Sequence, residues 1–404
     1  MTPDTDVLIV GLGPAGSGLA LRLARNGHRV IAVDRATFPR DKACSEYLSP
    51  EGVRHLAELG VLEAIEREDG RRILGTTVVA PRGSRLTGLF ARAGHRPFRE
   101  AGLSVSRRVM DAALVRAAAA AGAGIREATT FQELIRENGM VVGARVRDPD
   151  GRTAEIRSRL TVGADGLRSR VARALGRSRQ EPIRRLAFVA HVAGVHGLSD
   201  TAELHVRADG YVGLNPIGGG VANVALVVPS GDARIARGNV DDYFFTALER
   251  FASVRGRVPR TGLIRELMVT GPFARRASRV IAGGALLVGD AADFFDPFTG
   301  EGICAALRGA SLAEPVIIRA LSAAPGGIPA SRLREYPALR RRTFLGKWIV
   351  ERLIGYGMLA PSLFDRAVER LERHGLAHTM IGVTGDFVPA RAVLNPAFLA
   401  RMVM

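Results

Sequence analysis

The feature that most constrains the fold is a glycine-rich turn between an apolar run and a helix near the N-terminus. Residues 6–10 read Asp-Val-Leu-Ile-Val, and residues 11–16 read Gly-Leu-Gly-Pro-Ala-Gly. Helical apolar spacing then continues to an Asn-Gly pair at 26–27, which is typical of a helix end, and residues 28–33 form a second apolar run. Strand, glycine turn, helix and strand in about 30 residues form the βαβ unit of a parallel sheet. The sequence therefore predicts an α/β fold with a Rossmann-like, dinucleotide-binding domain.

Each glycine of this turn has its own physical reason. Gly11 permits the tight turn after the strand, Gly13 lets the backbone approach a pyrophosphate, and Gly16 lets the helix pack closely on the strand. The N–H groups at the start of the helix then face the phosphates. Asp34 stands at the end of the second strand, where a carboxylate accepts hydrogen bonds from a ribose. We predict a dinucleotide site here, and the alternative is a tight turn with only a structural role.

Two later segments also join an apolar strand to small and acidic residues. Residues 162–170 contain Asp-Gly at 165–166, and residues 287–302 contain Gly-Asp at 289–290 followed by Asp-Pro-Phe-Thr-Gly-Glu-Gly. Asp290 can accept a hydrogen bond from a ribose or ribityl hydroxyl. The last two glycines open a helix whose free amide hydrogens can face an electron-rich ring. Taken singly, each segment is also compatible with a surface turn.

In this order and at these separations, the three motifs resemble those of the flavoprotein superfamily that contains aromatic hydroxylases, flavin-dependent halogenases and geranylgeranyl reductases. The resemblance covers residues 1–310 in outline. It implies an FAD-dependent oxidoreductase with an aromatic-hydroxylase-type FAD-binding domain. It also implies that NADH or NADPH binds transiently as the reductant, because no second G-x-G-x-x-G is visible.

The resemblance also implies where FAD contacts the chain. The turn at 11–16 and Asp34 bind the ADP half, and the Asp-Gly pair at 165–166 lies near the pyrophosphate. Arg107 matches the family arginine near the phosphates, and its alternative role is a solvated arginine at a helix start. Asp290 contacts the ribityl chain, and the Thr-Gly-Glu-Gly run after it lies beside the isoalloxazine. With their motif neighbours, the expected FAD contacts are Gly11, Gly13, Pro14, Ala15, Gly16, Asp34, Arg35, Cys44, Ser45, Arg107, Asp165, Gly166, Gly289, Asp290, Pro297, Gly300, Glu301, Gly302 and Ile303.

Fewer residues indicate the branch of the superfamily. Residues 41–50, which include Cys44, and residues 299–303 look like the geranylgeranyl reductase branch, in which a cysteine near this position approaches the flavin. The reductase signature Tyr-x-Trp-x-Phe-Pro is replaced at 211–216 by Tyr-Val-Gly-Leu-Asn-Pro, which lacks two of the three rings. Halogenases need a lysine after the first βαβ unit and a Trp-x-Trp-x-Ile-Pro run. Lys42 is too early for that lysine, and the only tryptophan is Trp348.

We therefore expect an FAD-dependent monooxygenase that hydroxylates or epoxidises an aromatic or polyketide-like molecule. The alternative is reduction of carbon–carbon double bonds in an isoprenoid or related apolar chain, and a third hypothesis is a non-catalytic FAD-binding redox partner. A plain NAD-dependent dehydrogenase would leave the motifs at 165–166 and 289–290 without a role. The residues expected to be catalytic are Cys44, Tyr211, Pro297 and Gly300.

The predicted domains are discontinuous in sequence. β-rich segments separated by Gly, Asp and Pro follow the second motif, which indicates an antiparallel sheet inserted into the first domain. After residue 312 the pattern is mostly helical. We predict an FAD-binding domain at 1–75, 100–180 and 265–320, a substrate-binding β-sheet domain at 76–99 and 181–264, and a C-terminal helical region at 321–404.

Charge and metal-ligating residues exclude other classes of partner. The net charge of +17 comes from arginine spread along the whole chain, without an aromatic-interleaved stripe, so no nucleic-acid binding is expected. Two cysteines, Cys44 and Cys304, are too few for a disulfide framework and wrongly spaced for zinc. The histidines at 191, 196 and 205 form no ligand cluster, so no metal is expected.

The same reasoning gives an expected location. No basic and apolar leader begins the sequence, and no apolar stretch approaches the roughly 20 residues that cross a bilayer, so we expect a cytoplasmic protein without a transmembrane segment. A basic helix at 340–359 could touch a membrane surface if the substrate is a lipid, and its alternative is core packing with a solvated arginine face. The sequence specifies no oligomeric state.

Overall fold

The structure is a computed structural model that describes residues 2–68, 70–232, 239–324 and 326–403. The helices are α1 (Pro14–Arg25), α2 (Pro50–Glu58), α3 (Leu62–Glu68), α4 (Arg107–Ala120), α5 (Arg170–Ala174), α6 (Val240–Leu248), α7 (Gly302–Ala323), α8 (Glu335–Gly357), α9 (Pro361–Arg373), α10 (Ala377–Thr384) and α11 (Pro396–Val403). The first eleven strands are β1 (Thr5–Val10), β2 (Val30–Val33), β3 (Tyr47–Leu48), β4 (Arg71–Ile73), β5 (Gly75–Val79), β6 (Arg85–Leu89), β7 (Gly102–Ser104), β8 (Gly124–Arg126), β9 (Thr130–Glu137), β10 (Met140–Arg147) and β11 (Thr153–Gly163). The others are β12 (Ser178–Gln180), β13 (Arg185–Ala193), β14 (Thr201–Arg207), β15 (Gly210–Gly218), β16 (Val221–Pro229), β17 (Met268–Thr270), β18 (Arg275–Ala277), β19 (Ile281–Ala282), β20 (Ala285–Leu287) and β21 (Asp293–Phe294).

A parallel sheet forms the centre of the first domain. Its strands run in the order β8-β2-β1-β11-β20, with β19 antiparallel at the edge beside β20. Numbered along the chain, this is the 3-2-1-4-5 order of doubly wound nucleotide-binding folds. Val7 and Ile9 pack into the core on one face, and Leu8 and Val10 pack into the core on the other. Because both faces are covered, β1 needs apolar side chains throughout, which confirms the α/β, Rossmann-like prediction.

Strand β11 belongs to two sheets. Its first half pairs antiparallel with β10, from Thr153 to Arg157. Its second half pairs in parallel with β1, from Ser158 to Gly163. One continuous strand thus forms both the second strand of a hairpin with β10 and the strand that precedes Asp165. The hairpin is therefore joined directly to the centre of the nucleotide-binding sheet.

A seven-stranded sheet forms the second domain. Its strands run in the order β17-β13-β16-β15-β14-β5-β6, and all pairs are antiparallel except β14 with β5. One face packs on α6 through residues such as Phe188 and Phe244. The other face packs toward the first domain and the C-terminal helices, through residues such as Tyr211 and Val189. Since β17 pairs with β13, this sheet extends beyond residue 264, where the sequence analysis ended it.

The C-terminal helices cover one edge of this sheet. A Cβ on Gly88 of β6 would lie 2.2 Å from Ile381 of α10, so strand and helix are in direct contact. Arg340 and Trp348 of α8 both bond the carboxylate of Asp293. These contacts fix the last helices against both domains. None of the helices in the described ranges is long and apolar enough to span a bilayer.

Candidate functional site

The three glycines of the turn after β1 differ in how closely other protein atoms surround them. Gly11 has φ 102°, and a Cβ there would lie 2.5 Å from the Ala164 carbonyl oxygen. A Cβ on Gly16 would lie 1.8 Å from the Gly11 carbonyl oxygen. A Cβ on Gly13 would meet nothing closer than Arg107, at 3.9 Å. Protein packing therefore requires two of the glycines, whereas the middle one keeps a space open above the N-terminus of α1.

Asp34 holds this turn through its carboxylate. Its Oδ2 accepts a hydrogen bond from Leu12 N at 2.7 Å, and its Oδ1 accepts one from Ala36 N at 2.9 Å. Each oxygen keeps a further lone pair, which can accept a hydrogen bond from a ribose hydroxyl. Arg35 is exposed, and its side chain forms neither a hydrogen bond nor an ion pair with Asp34 in the part of the chain that the structure describes.

Three cations converge beside the open space above Gly13. Arg107 forms a two-point ion pair with the buried Asp111, through Nε at 2.8 Å and an Nη at 2.7 Å. Arg40 contacts the same carboxylate at 2.9 Å. Burial and the nearby positive charge of Arg107 lower the pKa of Lys42. Asp111 thus pairs with both arginines, whereas Lys42 forms no ion pair within 4 Å with a residue that the structure describes, so its charge is available to a ligand such as a diphosphate.

Asp290 provides a second acceptor near these cations. Burial raises the pKa of its carboxyl group, and Lys42 and Arg107 offset part of that effect. The side chain accepts no hydrogen bond from any residue that the structure describes. It follows Gly289, which has φ 59° and where a Cβ would lie 2.8 Å from Ala15 on α1. The tight packing therefore brings the first and third glycine motifs together.

The second motif shapes its loop through the side chain of Asp165. Its Oδ1 accepts a hydrogen bond from Ser169 Oγ at 2.6 Å, and its Oδ2 accepts from Arg170 N at 2.6 Å. These bonds cap the N-terminus of α5, so the carboxylate is directed at the protein. Gly166, with φ 76°, lies closer to the cations, because a Cβ there would be 3.5 Å from Lys42 Nζ. We propose that Asp165 holds this loop and that Gly166 is the residue next to the phosphates.

The segment that opens α7 packs against Tyr47. Pro297 to Thr299 form a short 3-10 turn, and Gly300 follows with φ 72°. A Cβ on Gly300 would lie 2.8 Å from the Tyr47 ring. Gly302 and Ile303 then begin the helix, whose first N–H groups have no partner within it. This places a glycine turn and a helix N-terminus beside Asp290, as the third motif predicted.

Tyr211 joins the second domain to the same turn. Its hydroxyl donates a hydrogen bond to Asp296 Oδ1 at 2.6 Å, and Arg185 contacts Asp296 Oδ2 at 2.8 Å. The Tyr211 ring packs edge-on against Phe298, with centroids 5.2 Å apart. Burial and the neighbouring Asp296 raise the pKa of Tyr211 well above its usual value. Because the hydroxyl proton of Tyr211 is held in the hydrogen bond to Asp296, we propose that Tyr211 positions the 297–300 turn.

Cys44, Ser45 and Glu46 form one wall between the domains. Glu46 has φ 57° and is 1% exposed. Its carboxylate accepts hydrogen bonds from Arg107 N at 2.8 Å, His191 Nε2 at 2.6 Å and Asn223 Nδ2 at 3.0 Å.

Two amides on the seven-stranded sheet hold the backbone of this wall. Asn223 Nδ2 donates to the Cys44 carbonyl oxygen at 2.7 Å, and Asn215 Nδ2 donates to the Ser45 carbonyl oxygen at 2.9 Å. The Cys44 thiol lies against Arg107. The wall is therefore fixed by side chains from three strands of the second domain.

A buried charge cluster lies behind the 299–302 turn. Burial raises the pKa of Glu301 to about 7, although Lys347 beside it favours the carboxylate. Lys347 Nζ also lies 3.5 Å from Asp386, whose carboxyl pKa is lowered by Lys347 and Arg308 despite its burial. A small cleft of about 40 Å³ lies between this turn and α8. Residues of the turn and of α8 line it together.

The structure thus brings the three sequence motifs together, with Arg107 over Gly13 and Gly166 beside Lys42. Arg40, Lys42 and Asp111 were not predicted as site residues, although Lys42 lies in the reductase-like segment 41–50 and Asp111 lies four residues after Arg107. The roles of His191 and Asn223, which lie 145 and 177 residues from Glu46, were not predicted either. No local signal could identify these contacts, because alternation along a strand specifies a face and not a partner.

These groups fit FAD. The space above Gly13 and the surplus positive charge suit a pyrophosphate, and Asp34 and Asp290 offer acceptors to hydroxyl groups on either side of it. No cluster of three His, Cys, Asp or Glu side chains within the described ranges could hold a metal ion.

Comparison with known proteins agrees with this fit. The family described as FAD binding domain matches residues 4–342. A digeranylgeranylglycerophospholipid reductase of Methanospirillum hungatei is 31% identical over 355 residues, which cover 86% of this chain and 83% of that protein. A menaquinone reductase of Mycolicibacterium smegmatis is 31% identical over 336 residues, which cover 78% and 77% of the two chains. The crystal structure of a flavoprotein/dehydrogenase from Cytophaga hutchinsonii superposes with a TM-score of 0.82 at 18% identity, covering 99% and 96% of the chains.

Proposed function

Because this chain belongs to the FAD-binding-domain family of flavin-dependent oxidoreductases, we propose that it is a reductase that saturates carbon–carbon double bonds in the isoprenoid chain of a lipid. Oxygenation of an aromatic or polyketide-like molecule is therefore the second candidate reaction. The observation that carries the proposal is the pair of relatives named as reductases of lipid-like compounds, each about 31% identical over more than three quarters of this chain.

The reaction balances with the reductant that the family resemblance implies. Bound FAD, once reduced by NADH or NADPH, supplies a hydride to one carbon of the double bond. The other carbon takes a proton, so NAD(P)H, a proton and one double bond give NAD(P)⁺ and one saturated bond.

The residues at the nucleotide end bind and orient the cofactor in this proposal. Arg107, Arg40 and Lys42 neutralise the diphosphate, and Asp34 and Asp290 accept hydrogen bonds from hydroxyl groups. None of them needs to exchange a proton during the reaction. Their task is to fix the reactive ring at the boundary between the two domains, where a substrate can approach it.

The residues on the sheet side shape the substrate wall. Of the predicted catalytic residues, Cys44 lies on the wall held by Asn215 and Asn223. Tyr211 fixes the turn that contains Pro297 and Gly300 through its hydrogen bond to Asp296. We propose that Cys44 and Gly300 border the reacting atoms, and that Tyr211 and Pro297 are positioning residues.

The incomplete aromatic signature is compatible with an apolar substrate chain. Gly213 follows Tyr211 on the same face of β15, where a Cβ would lie 3.8 Å from Leu204 and 3.9 Å from Ala225. The position of the missing ring is therefore surrounded by apolar side chains at ordinary contact distance. At the third aromatic position Asn215 hydrogen-bonds Ser45, so it supports the wall and does not line an apolar groove.

Product mass and oxygen uptake test this proposal together. The purified holoprotein would be reduced by NADH or NADPH and incubated with a digeranylgeranyl lipid or menaquinone, with and without oxygen. We expect products that are heavier by two hydrogens for each reduced bond, at the same rate without oxygen. A product heavier by one oxygen atom, with matching oxygen uptake, would replace the proposal by the oxygenase alternative.

A further inference from the structure

The outer side of α8 is apolar and exposed. Leu345, Ile349, Leu353 and Tyr356 are each between 41% and 54% exposed. Their spacings of four, four and three residues place them on one side of the helix. Leu359 and Leu363 continue this run past the helix end and are 55% and 51% exposed. We call the surface formed by these six residues and by the exposed arginines Arg341, Arg342 and Arg366 the α8 face.

The concentration of apolar side chains here is not random scatter. Six of the eleven large apolar side chains that are exposed in the described part of the chain fall between residues 345 and 363. Single exposed apolar residues are normal on a protein surface, whereas a contiguous group marks an interaction site.

The opposite side of α8 is already packed against the protein, so the α8 face is not an alternative core surface. Phe344, Lys347 and Glu351 line the cleft beside the 299–302 turn. Arg340 and Trp348 bond Asp293, which anchors the helix. The apolar face is therefore presented outward by a helix that cannot rotate to bury it.

Charge identifies the kind of partner. Arg341, Arg342 and Arg366 are exposed, and none forms an ion pair with any residue that the structure describes. The acidic residues in the same stretch are Glu351 and Asp365. Glu351 lines the cleft, and Asp365 is buried and accepts a hydrogen bond from Arg82 N at 2.9 Å. Every exposed charge between residues 338 and 366 is thus positive.

We propose that the α8 face docks this protein onto an anionic lipid membrane. The apolar side chains enter the boundary between headgroups and acyl chains, and the arginines contact lipid phosphates. A second copy of the chain is a poorer occupant, because two chains of net charge +17 would bring positively charged faces together. The proposal rests on the proposed function in one respect: a lipid substrate would enter from the same membrane, on the outer side of the helix that borders the cleft.

Vesicle binding by the holoprotein tests the docking. We expect it to sediment with vesicles of phosphatidylcholine and phosphatidylglycerol, and much less with phosphatidylcholine alone. The double variant Ile349→Ser/Leu353→Ser should lose about tenfold or more in vesicle affinity. The double variant Arg341→Gln/Arg342→Gln should lose the preference for the anionic lipid and its salt dependence.

Ile264→Ser is the matched control, because Ile264 is 54% exposed at a site away from the α8 face. It should bind vesicles as the unmodified protein does, and all variants should keep their flavin absorbance and melting temperature. Equal vesicle binding by the Ile349 and Ile264 variants would overturn the proposal. So would a concentration-dependent dimer that the Ile349→Ser/Leu353→Ser variant abolishes.

Turnover of a detergent-dispersed substrate separates this proposal from the proposed function. We expect the α8-face variants to reduce dispersed substrate at the unmodified rate while losing activity on substrate held in vesicles. Vesicle binding without any reduction of isoprenoid double bonds would leave the docking intact and reject the reductase. Reduction without vesicle binding would reject the docking alone.

Discussion

The turn at 11–16 and the wall at 44–46 both border the proposed FAD site, but they are held in different ways. Packing fixes the turn within a few residues, since a Cβ on Gly16 would lie 1.8 Å from the Gly11 carbonyl oxygen. The wall is held by side chains that lie more than 140 residues away in sequence, such as His191 and Asn223 on Glu46. The fold should therefore tolerate no added atom at Gly11 or Gly16, whereas each hydrogen bond to the wall should contribute a small and separable amount to stability.

The largest expected effects come from adding one methyl group within the turn. In Gly16→Ala the new Cβ displaces α1 from β1, and we expect the protein to lose about 3 kcal/mol or to misfold. Gly13 has extended backbone angles and no protein atom within 3.9 Å of a Cβ, so Gly13→Ala should fold normally. It should nevertheless bind FAD at least about a hundredfold more weakly, because the methyl group occupies the pyrophosphate space.

Melting temperature of the FAD-free protein and FAD titration by flavin fluorescence would separate these two outcomes. Gly27→Ala is the control: Gly27 has φ 77° but open surroundings, so only about 1 kcal/mol of backbone strain is expected, with unchanged FAD affinity. If Gly13→Ala bound FAD normally, the cofactor would not pass over this residue.

The next effect concerns Arg107, whose side chain lies beside Gly13 of the turn and whose backbone N–H donates to Glu46 of the wall. Arg107→Leu leaves the buried Asp111 with Arg40 alone and should cost about 2 kcal/mol in unfolding free energy. It should weaken FAD binding about tenfold to a hundredfold. Arg108→Leu is the matched control, because its exposed ion pair with Asp41 contributes under about 0.5 kcal/mol. Urea unfolding and FAD titration measure both variants, and equal FAD affinity in the two would exclude Arg107 from the phosphate site.

A smaller effect is expected on the wall. Asn223→Ala removes two hydrogen bonds and should cost about 1–2 kcal/mol in unfolding free energy. Turnover should fall about tenfold, because Cys44 is no longer held in place. FAD affinity should not change. Asn26→Ala also removes two hydrogen bonds, but at an exposed site, and should change neither quantity. A loss of FAD affinity in Asn223→Ala would show that turn and wall are not independent.

The smallest effect is expected at Glu203, a carboxylate that belongs to neither the turn nor the wall. Burial raises the pKa of Glu203, but hydrogen bonds from His205 and Arg257 outweigh it and lower that pKa to about 2. A lowered carboxyl pKa stabilises the fold above the ordinary value of about 4.5, and this stability is lost as the pH falls toward 2. Glu203→Gln should therefore cost about 1 kcal/mol at pH 7 and progressively less below pH 4.5.

Urea unfolding at pH 7, 4.5 and 3 would follow this change. Glu155→Gln serves as the control, since Glu155 is 42% exposed beside Arg145 and should show no such trend. A constant cost across this pH range would mean that Glu203 is not ionised as described.

The sequence predicted those parts of the fold whose backbone conformation is specified by residues close together in the chain. The βαβ unit, the Rossmann-like sheet and the FAD family follow from short motifs in which each glycine has one permitted role. Arg107 was predicted beside the phosphates, and the structure places it over Gly13. Lys42 was considered only as a halogenase-type lysine, and nothing in the sequence around it indicates a position beside Gly166.

The remaining contacts required the complete fold. Glu46 is flanked by residues that resemble the reductase branch, but nothing in that segment indicates that His191 and Asn223 would bond it. Asp165 is expected near the pyrophosphate, and its carboxylate also caps α5 through donors at 169–171, a contact that its motif did not indicate. Oxygenation was favoured because the aromatic signature at 211–216 is incomplete, although the motifs at 41–50 and 299–303 pointed to the reductase branch, and the relatives named as reductases support reduction.

The continuity of β11 limits how this protein can be shortened or recombined. Residues 153–157 look like an expendable surface hairpin, yet they run without a break into the strand beside β1. Removing or exchanging the hairpin would change where the central strand begins and would displace the loop that carries Gly166. A smaller working version, or a chimera with a relative, should therefore be cut on the far side of the seven-stranded sheet and should keep residues 140–166 as one piece.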